Sequence, residues 1–238
     1  MKKWLPVIVC IFVFVSCKKS SEELQLPAIN DYAPLAKGKY ITYTLDSLIY
    51  TNFGTVETHH FYQVKFVVDD AITDNQGRPA FRIVRYIKPQ NGGNFVPDNT
   101  FSAINTGNTF ETTENNLRFK KLVQPISNGT AWKGNSFIST IGLGLEYLDD
   151  WDYTYESVGE PARVGIIDLP NTLTVNQRDY SDGLPINSGT TVAQRDLATE
   201  IYAKDIGMVY KKFWHFEYQQ STHAYEGYGI TYTMIDHN

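Results

Sequence analysis

Cysteine is nearly missing from this 238-residue chain: there are two, Cys10 and Cys17, both within the first seventeen positions. The body beyond them has no thiol for a disulfide, so its own core has to hold it together. A positive surplus is missing too. Lys and Arg number 21 against 26 Asp and Glu, a formal net charge of -5, and no basic run exceeds a pair. Phosphate neutralisation needs the opposite balance, so no nucleic-acid partner is expected. No apolar run is long enough to stay in a membrane. Trp4 to Val15, interrupted by Pro6, spans roughly 18 Å as a helix against a hydrocarbon core of ~30 Å. Helical periodicity is scarce: only Val192 to Lys204 shows any, and Thr199, Ile201 and Tyr202 pull it toward strand. Catalytic signatures are also lacking. Gly134-Asn135-Ser136-Phe137-Ile138 lacks the second Gly of a nucleophile elbow, and Gly142-Leu143-Gly144-Leu145 lacks the third Gly of a dinucleotide loop. The expectation is a non-enzyme with no catalytic residue, no cofactor and no metal.

What is present is a chain 42% hydrophobic and 14% aromatic, enough for one sizeable domain. Its apolar residues alternate with period two. Ile41, Tyr43, Leu45 and Ile49 share one face of Tyr40–Tyr50, and Tyr62, Val64, Phe66 and Val68 share one face of Phe61–Val68. Ala80–Ile87 repeats the pattern, and the Asp74-Asn75-Gln76-Gly77 turn between the last two makes them a hairpin. Further strands are expected at Asn116–Val123, Tyr153–Ser157, Ala162–Ile167, Asn171–Asp179 and Thr199–Ala203. Near the C-terminus Met208, Tyr210, Trp214, Phe216 and Tyr218 fall on one face, opposite Lys211, His215, Glu217 and Gln219, and Tyr228, Ile230, Tyr232 and Met234 alternate again. The polar stretches Asn91–Asn108 and Ser181–Thr191 read as exposed loops. Short turn-like links exclude the crossovers that parallel strands require. The fold class is therefore all-β: a strongly curved antiparallel sheet, half-barrel or open barrel or sandwich, with few or no helices.

The first residues set the compartment. Met1-Lys2-Lys3, then the apolar run, then Ser16-Cys17, is the layout of a secretory signal. Phe14-Val15-Ser16-Cys17 resembles the lipobox of bacterial lipoproteins, in which a small residue precedes a Cys that becomes the lipidated N-terminus. That resemblance implies cleavage between Ser16 and Cys17, a diacylglyceryl group on the Cys17 sulfur, and fatty-acyl chains such as palmitate as the anchor. The division expected is a signal peptide at 1–16, a lipidated Cys and tether at 17–30, and a single β domain at 31–238. The tether includes Glu22 and Glu23, which resemble the acidic export signals of Bacteroidetes-type surface lipoproteins. Localisation is expected at the outer membrane, lipid-anchored, on its periplasmic face or at the cell surface.

Three further phrases resemble envelope lipoproteins of Bacteroidetes-type bacteria: Tyr32-Ala33-Pro34-Leu35-Ala36-Lys37-Gly38-Lys39-Tyr40, Gly129-Thr130-Ala131-Trp132, and Ile206-Gly207-Met208-Val209-Tyr210-Lys211. The resemblance implies a curved antiparallel sheet like the half-barrels of lipoprotein carriers, and it assigns no activity.

Several clusters are candidates for chemistry. Asp149-Asp150-Trp151-Asp152, with Glu146 and Glu156, offers oxygen ligands for Ca²⁺ or acids for glycan hydrolysis, but no Gly-centred loop and no facing acid. His215 and Glu217 share a strand face and His223 lies near in sequence, whereas His59 and His60 point to opposite faces. Each is read as solvated surface. Aromatics concentrate between Tyr210 and Tyr232, and the Trp side chains 132, 151 and 214 are the candidate ligand-binding residues for a hydrophobic, glycan or protein ligand. The expected role is binding or envelope assembly by a lipid-anchored protein. The alternatives are a carrier sheltering an acyl or lipoprotein ligand in the concave sheet, and a surface glycan hydrolase. A concave apolar pocket selects the carrier, a polar cleft with facing carboxylates the hydrolase, and a filled interior the plain interaction module.

Overall fold

A computed structural model describes residues 27–142 and 144–238. The signal peptide, Ser16, Cys17 and the tether through residue 26 lie outside the described residues. The body is a single twelve-stranded antiparallel sheet, nearly closed into a barrel. Six strands form the first half: β1 (Tyr40–Thr51), β2 (Val56–Thr73), β3 (Pro79–Pro89), β4 (Val96–Asn105), β5 (Thr109–Glu114) and β6 (Leu117–Val123). The second half runs β7 (Ala131–Lys133), β8 (Asp152–Val164), β9 (Ile167–Asp182), β10 (Val192–Ala203), β11 (Gly207–Gln219) and β12 (Ala224–His237). Sequential hairpins order each half, and β12 pairs with β1 to join them, so the spatial order is β6-β5-β4-β3-β2-β1-β12-β11-β10-β9-β8-β7. The all-β expectation is met, and the period-two alternation is its cause.

One end of the barrel is plugged. Helix α1 (Ile29–Tyr32) buries Ile29 and Tyr32, and the Tyr32 hydroxyl donates to Asn171 Oδ1 at 2.6 Å. Ile29 and Asn30, assigned to the tether by the sequence, thus belong to α1. The Asp205 amide in the β10–β11 turn donates to Asp31 O, and Gly38, at φ +87°, turns the chain from the plug into β1. The opening and closing phrases of the sequence therefore meet at this end, where they secure α1 and start two strands.

Two expectations need correction, and one ambiguous segment is resolved as strand. Asn91–Asn108 is not one exposed loop, because β4 occupies 96–105 and buries Ala103 and Ile104. Asp98, Thr100 and Ser102 on one face, and Asn99 on the other, hide the alternation that turns Asn99, Phe101 and Ala103 inward. The helical tendency of Val192–Lys204 is overruled by pairing on both sides of β10. On β11 inside and outside are exchanged. Tyr202 pairs with Met208 and Ile201 with Tyr210, leaving Val209 as an extra residue, a bulge that turns every later side chain over. Lys211 and Phe213 consequently face the interior with Met208, while Phe216 and Tyr218 pack outside with Trp214, Tyr50, Tyr225 and Ile186.

Candidate functional site

The interior is not filled. A cavity of about 580 Å³ lies within the sheet, inside the 300–1,000 Å³ range of small-ligand sites. Its walls are mostly aromatic and aliphatic: Tyr43 and Leu45 from β1, Phe66 and Val68 from β2, Phe101 from β4, Phe213 from β11, Ile230 and Tyr232 from β12. Ala33, Pro34 and Leu35 from the α1 end line it as well. At the far end the segment between β7 and β8 folds over β11, bringing Tyr147, Leu148 and Trp151 to the wall. Tyr147 stacks on His215 at 4.0 Å between ring centroids, and His215 Nδ1 lies 2.6 Å from buried Asp196. Among the described lining residues Asn115 and Tyr228 are the exposed ones, both at this far end.

Four charges sit together in this apolar interior. Lys121 Nζ donates to Glu200 Oε1 at 2.7 Å, and Lys211 Nζ lies 3.6 Å from the same oxygen and 4.0 Å from Glu114 Oε2. Tyr202 donates to Glu200 Oε2 at 2.7 Å and Thr112 to Glu114 Oε1 at 2.9 Å. Glu200 is fully buried, and burial pushes its carboxyl up. The Lys121 and Lys211 ammonium groups, with hydrogen bonds from Lys121 and Tyr202, outweigh that and hold it at about 2. Burial likewise opposes ionisation of Lys121 and Glu114, yet opposite charges win at both: Lys121 is held above the ordinary lysine range and Glu114 below the ordinary carboxylate range. Glu200, Glu114 and Lys121 are thus all held in their charged forms. Beside them Gln177, which follows Leu173 and Val175 on the inner face of β9, is buried with its Nε2 unpartnered among the described residues. Nearer the β12 wall, Arg85 holds Asp98 through two hydrogen bonds of 2.9 and 2.7 Å and donates to the Tyr232 hydroxyl at 3.2 Å.

Of the three tryptophans singled out from the sequence, only Trp151 reaches the cavity, where it is 2% exposed and donates from Nε1 to Tyr147 O. Trp132 lies at the seam between β6 and β7, and its Nε1 donates to Lys120 O at 2.8 Å. Trp214 is on the convex face over a shallow depression of about 240 Å³ with Asp46, Glu57 and His59. The structure does not bring the three together.

The acidic cluster is dispersed. Asp150 and Asp152 both clasp Lys133 on the surface, at 2.7 and 2.9 Å, and neither lines the cavity. Glu217 is exposed, whereas His215 is turned inward by the β11 bulge and buried. His59 lies between Asp46 and Glu57 on the surface. Among the described residues no group of three or more His, Cys, Asp or Glu is arranged to hold a metal.

Lys121, Glu200, Lys211, Glu114 and Gln177 escaped the sequence reading. One signal was available: Glu200 sits between Ala198 and Tyr202 on the same face of its strand, a charge at a position that alternation gives to the core. Lys211 stands opposite it across the β10–β11 hairpin, but its nearest cation, Lys121, comes from β6, which no local pattern connects.

No protein-family model matches the chain, nor does any curated protein. Among solved structures it is similar to a DUF1329 family protein from Desulfovibrio piger, at 11% identity over 86% of each chain with a TM-score of 0.20. At that TM-score a shared fold is not shown.

Proposed function

We propose that this protein is a lipid-anchored binding protein of the outer membrane that shelters a hydrophobic ligand, an acyl chain or acylated molecule, inside its barrel. The cavity is the supporting observation: a well-packed domain of this size has few voids larger than a water molecule, and this one has about 580 Å³ walled by aromatic rings. Plain interaction modules have no use for such a space. The hydrolase alternative draws no support from Asp150 and Asp152, which are paired with Lys133 instead of facing across a cleft. The anchor is supported by the sequence around Cys17 alone.

Residues 27–238 contain the whole sheet and its three hydrophobic clusters, so a chain beginning at Lys18 keeps the folded body. Such a chain should enhance the fluorescence of N-phenylnaphthylamine. Ser47→Trp, which projects an indole into the cavity from β1, should weaken that binding at least tenfold while leaving the circular dichroism spectrum unchanged. Equal binding by both chains, or none by the native one, would overturn the cavity reading. The anchor is tested separately: Cys17→Ser in the full chain should release the protein from the membrane fraction.

A further inference from the structure

From the charges inside the cavity we infer the class of ligand: an acyl chain whose polar end is an uncharged ester or amide, and not a free fatty acid or a cationic amphiphile. This rests on the cavity being a ligand site.

Lys121 and Lys211 bring two basic groups to the interior and Glu114 and Glu200 two acidic ones, each within 4.0 Å of a partner of opposite sign. Arg85 is matched by Asp98 in the same way. The quartet is therefore electrically complete. A carboxylate entering beside it gains from the lysines but is repelled by two fixed carboxylates at similar range, while losing its hydration in a low-dielectric space. A cation meets the mirror image of that problem. A neutral carbonyl has no such cost, and it needs one hydrogen-bond donor.

Gln177 supplies it. Its amide nitrogen is buried without a partner, an omission that costs about 1–3 kcal/mol if nothing ever fills it. Rotation of the terminal amide swings that N–H toward the cavity that the residue already lines. Most of the remaining wall is rings and aliphatic side chains, suited to the chain portion of the ligand. Lys39, which also lines the cavity, is taken up at the plugged end by Asp205 O and Asn238 O at 2.8 and 3.1 Å. A buried net-neutral ion cluster is seldom the most stable filling, since apolar residues of similar volume often do as well or better. Its presence here fits selection of the ligand's charge.

The test uses the chain from Lys18 and displacement of N-phenylnaphthylamine by three twelve-carbon probes: dodecanoate, its methyl ester and dodecyltrimethylammonium. The native chain should prefer the ester to each ion by at least tenfold. Glu114→Gln, on a side chain about one-third accessible, leaves Lys211 in excess and should shift the preference toward dodecanoate at least fivefold. Lys211→Met should shift it toward the cation. Gln177→Leu should weaken the ester about tenfold and leave N-phenylnaphthylamine binding intact. If the native chain binds dodecanoate as tightly as the ester, or if neither charge substitution moves the preference, the inference fails while the cavity reading stands. Failure to bind N-phenylnaphthylamine at all would remove both.

Discussion

The two halves of the sheet meet at two places, in two different ways. Between β1 and β12 the closure is a backbone ladder whose register runs from Ile41 opposite His237 to Ile49 opposite Tyr228. Between β6 and β7 there is no ladder. The Lys120 amide donates to Gly134 O at 2.8 Å, and side chains supply the remainder. Trp132 Nε1 reaches Lys120 O, while the Tyr155 hydroxyl accepts from the Val123 amide at 2.8 Å and donates to Val123 O at 2.9 Å. Lys121, also on β6, adds a tie across the interior to Glu200 on β10. A ladder distributes its strength over many equivalent bonds, so no side chain in it is indispensable. The side-chain seam concentrates its strength in Trp132, Tyr155 and Lys121, and should respond sharply to single substitutions.

The largest effect is expected from Lys121→Met, which strands Glu200 without its nearest cation and should cost about 3–5 kcal/mol by urea denaturation. The same pair has a pH signature. Glu200 is depressed from an ordinary 4.5 to about 2, so its stabilising contribution is fully present above 4.5 and is lost as pH falls toward 2. The native chain should lose stability across that window, and Glu200→Gln should flatten the loss. Trp132→Ala should cost a comparable 3–5 kcal/mol or slightly less, because it empties a site packed against Tyr153 and Tyr155 and removes a seam bond. Should Trp132→Ala instead leave stability unchanged and abolish ligand binding, the seam role would be wrong and the sequence's ligand-binding assignment right. Tyr155→Phe leaves both backbone groups of Val123 without that hydroxyl and should cost about 1–3 kcal/mol. At the other closure Thr44→Val, whose hydroxyl only grazes Thr233 O at 3.4 Å, should stay within about 0.5 kcal/mol. Equal sensitivity at the two closures would erase the distinction.

Close approach also distinguishes the seam. Gly134 lies against the Tyr153 ring, where any Cβ would overlap its carbons, and the next residue, buried Asn135, accepts from the Tyr153 hydroxyl at 2.9 Å. The phrase Gly129-Thr130-Ala131-Trp132 was legible as a motif. Its purpose was not, because it acts on β6, a strand that precedes it in the chain and meets it only on closure.

Legibility followed locality elsewhere too. The hairpin of β2 and β3 could be read because its turn and both alternating faces are contiguous. The face of β11 was misread although its pattern is clear: one unpaired residue, Val209, inverts everything after it, and a bulge shows itself only against the partner strand. The four-charge cluster was invisible for a related reason, since its members are separated by up to 97 positions and each alone resembles a solvated residue.

Alternation, turn residues and the shortage of cysteine determined by themselves that this chain forms an antiparallel β domain without disulfides, because side chains on a strand alternate and short links allow no other pairing. That the sheet curls until its ends meet, that α1 plugs one end, and that the enclosed space stays open around a neutral set of charges were decided only in the tertiary structure. These depend on which distant strands come together, and twist, bulges and closure govern that over the whole sheet at once.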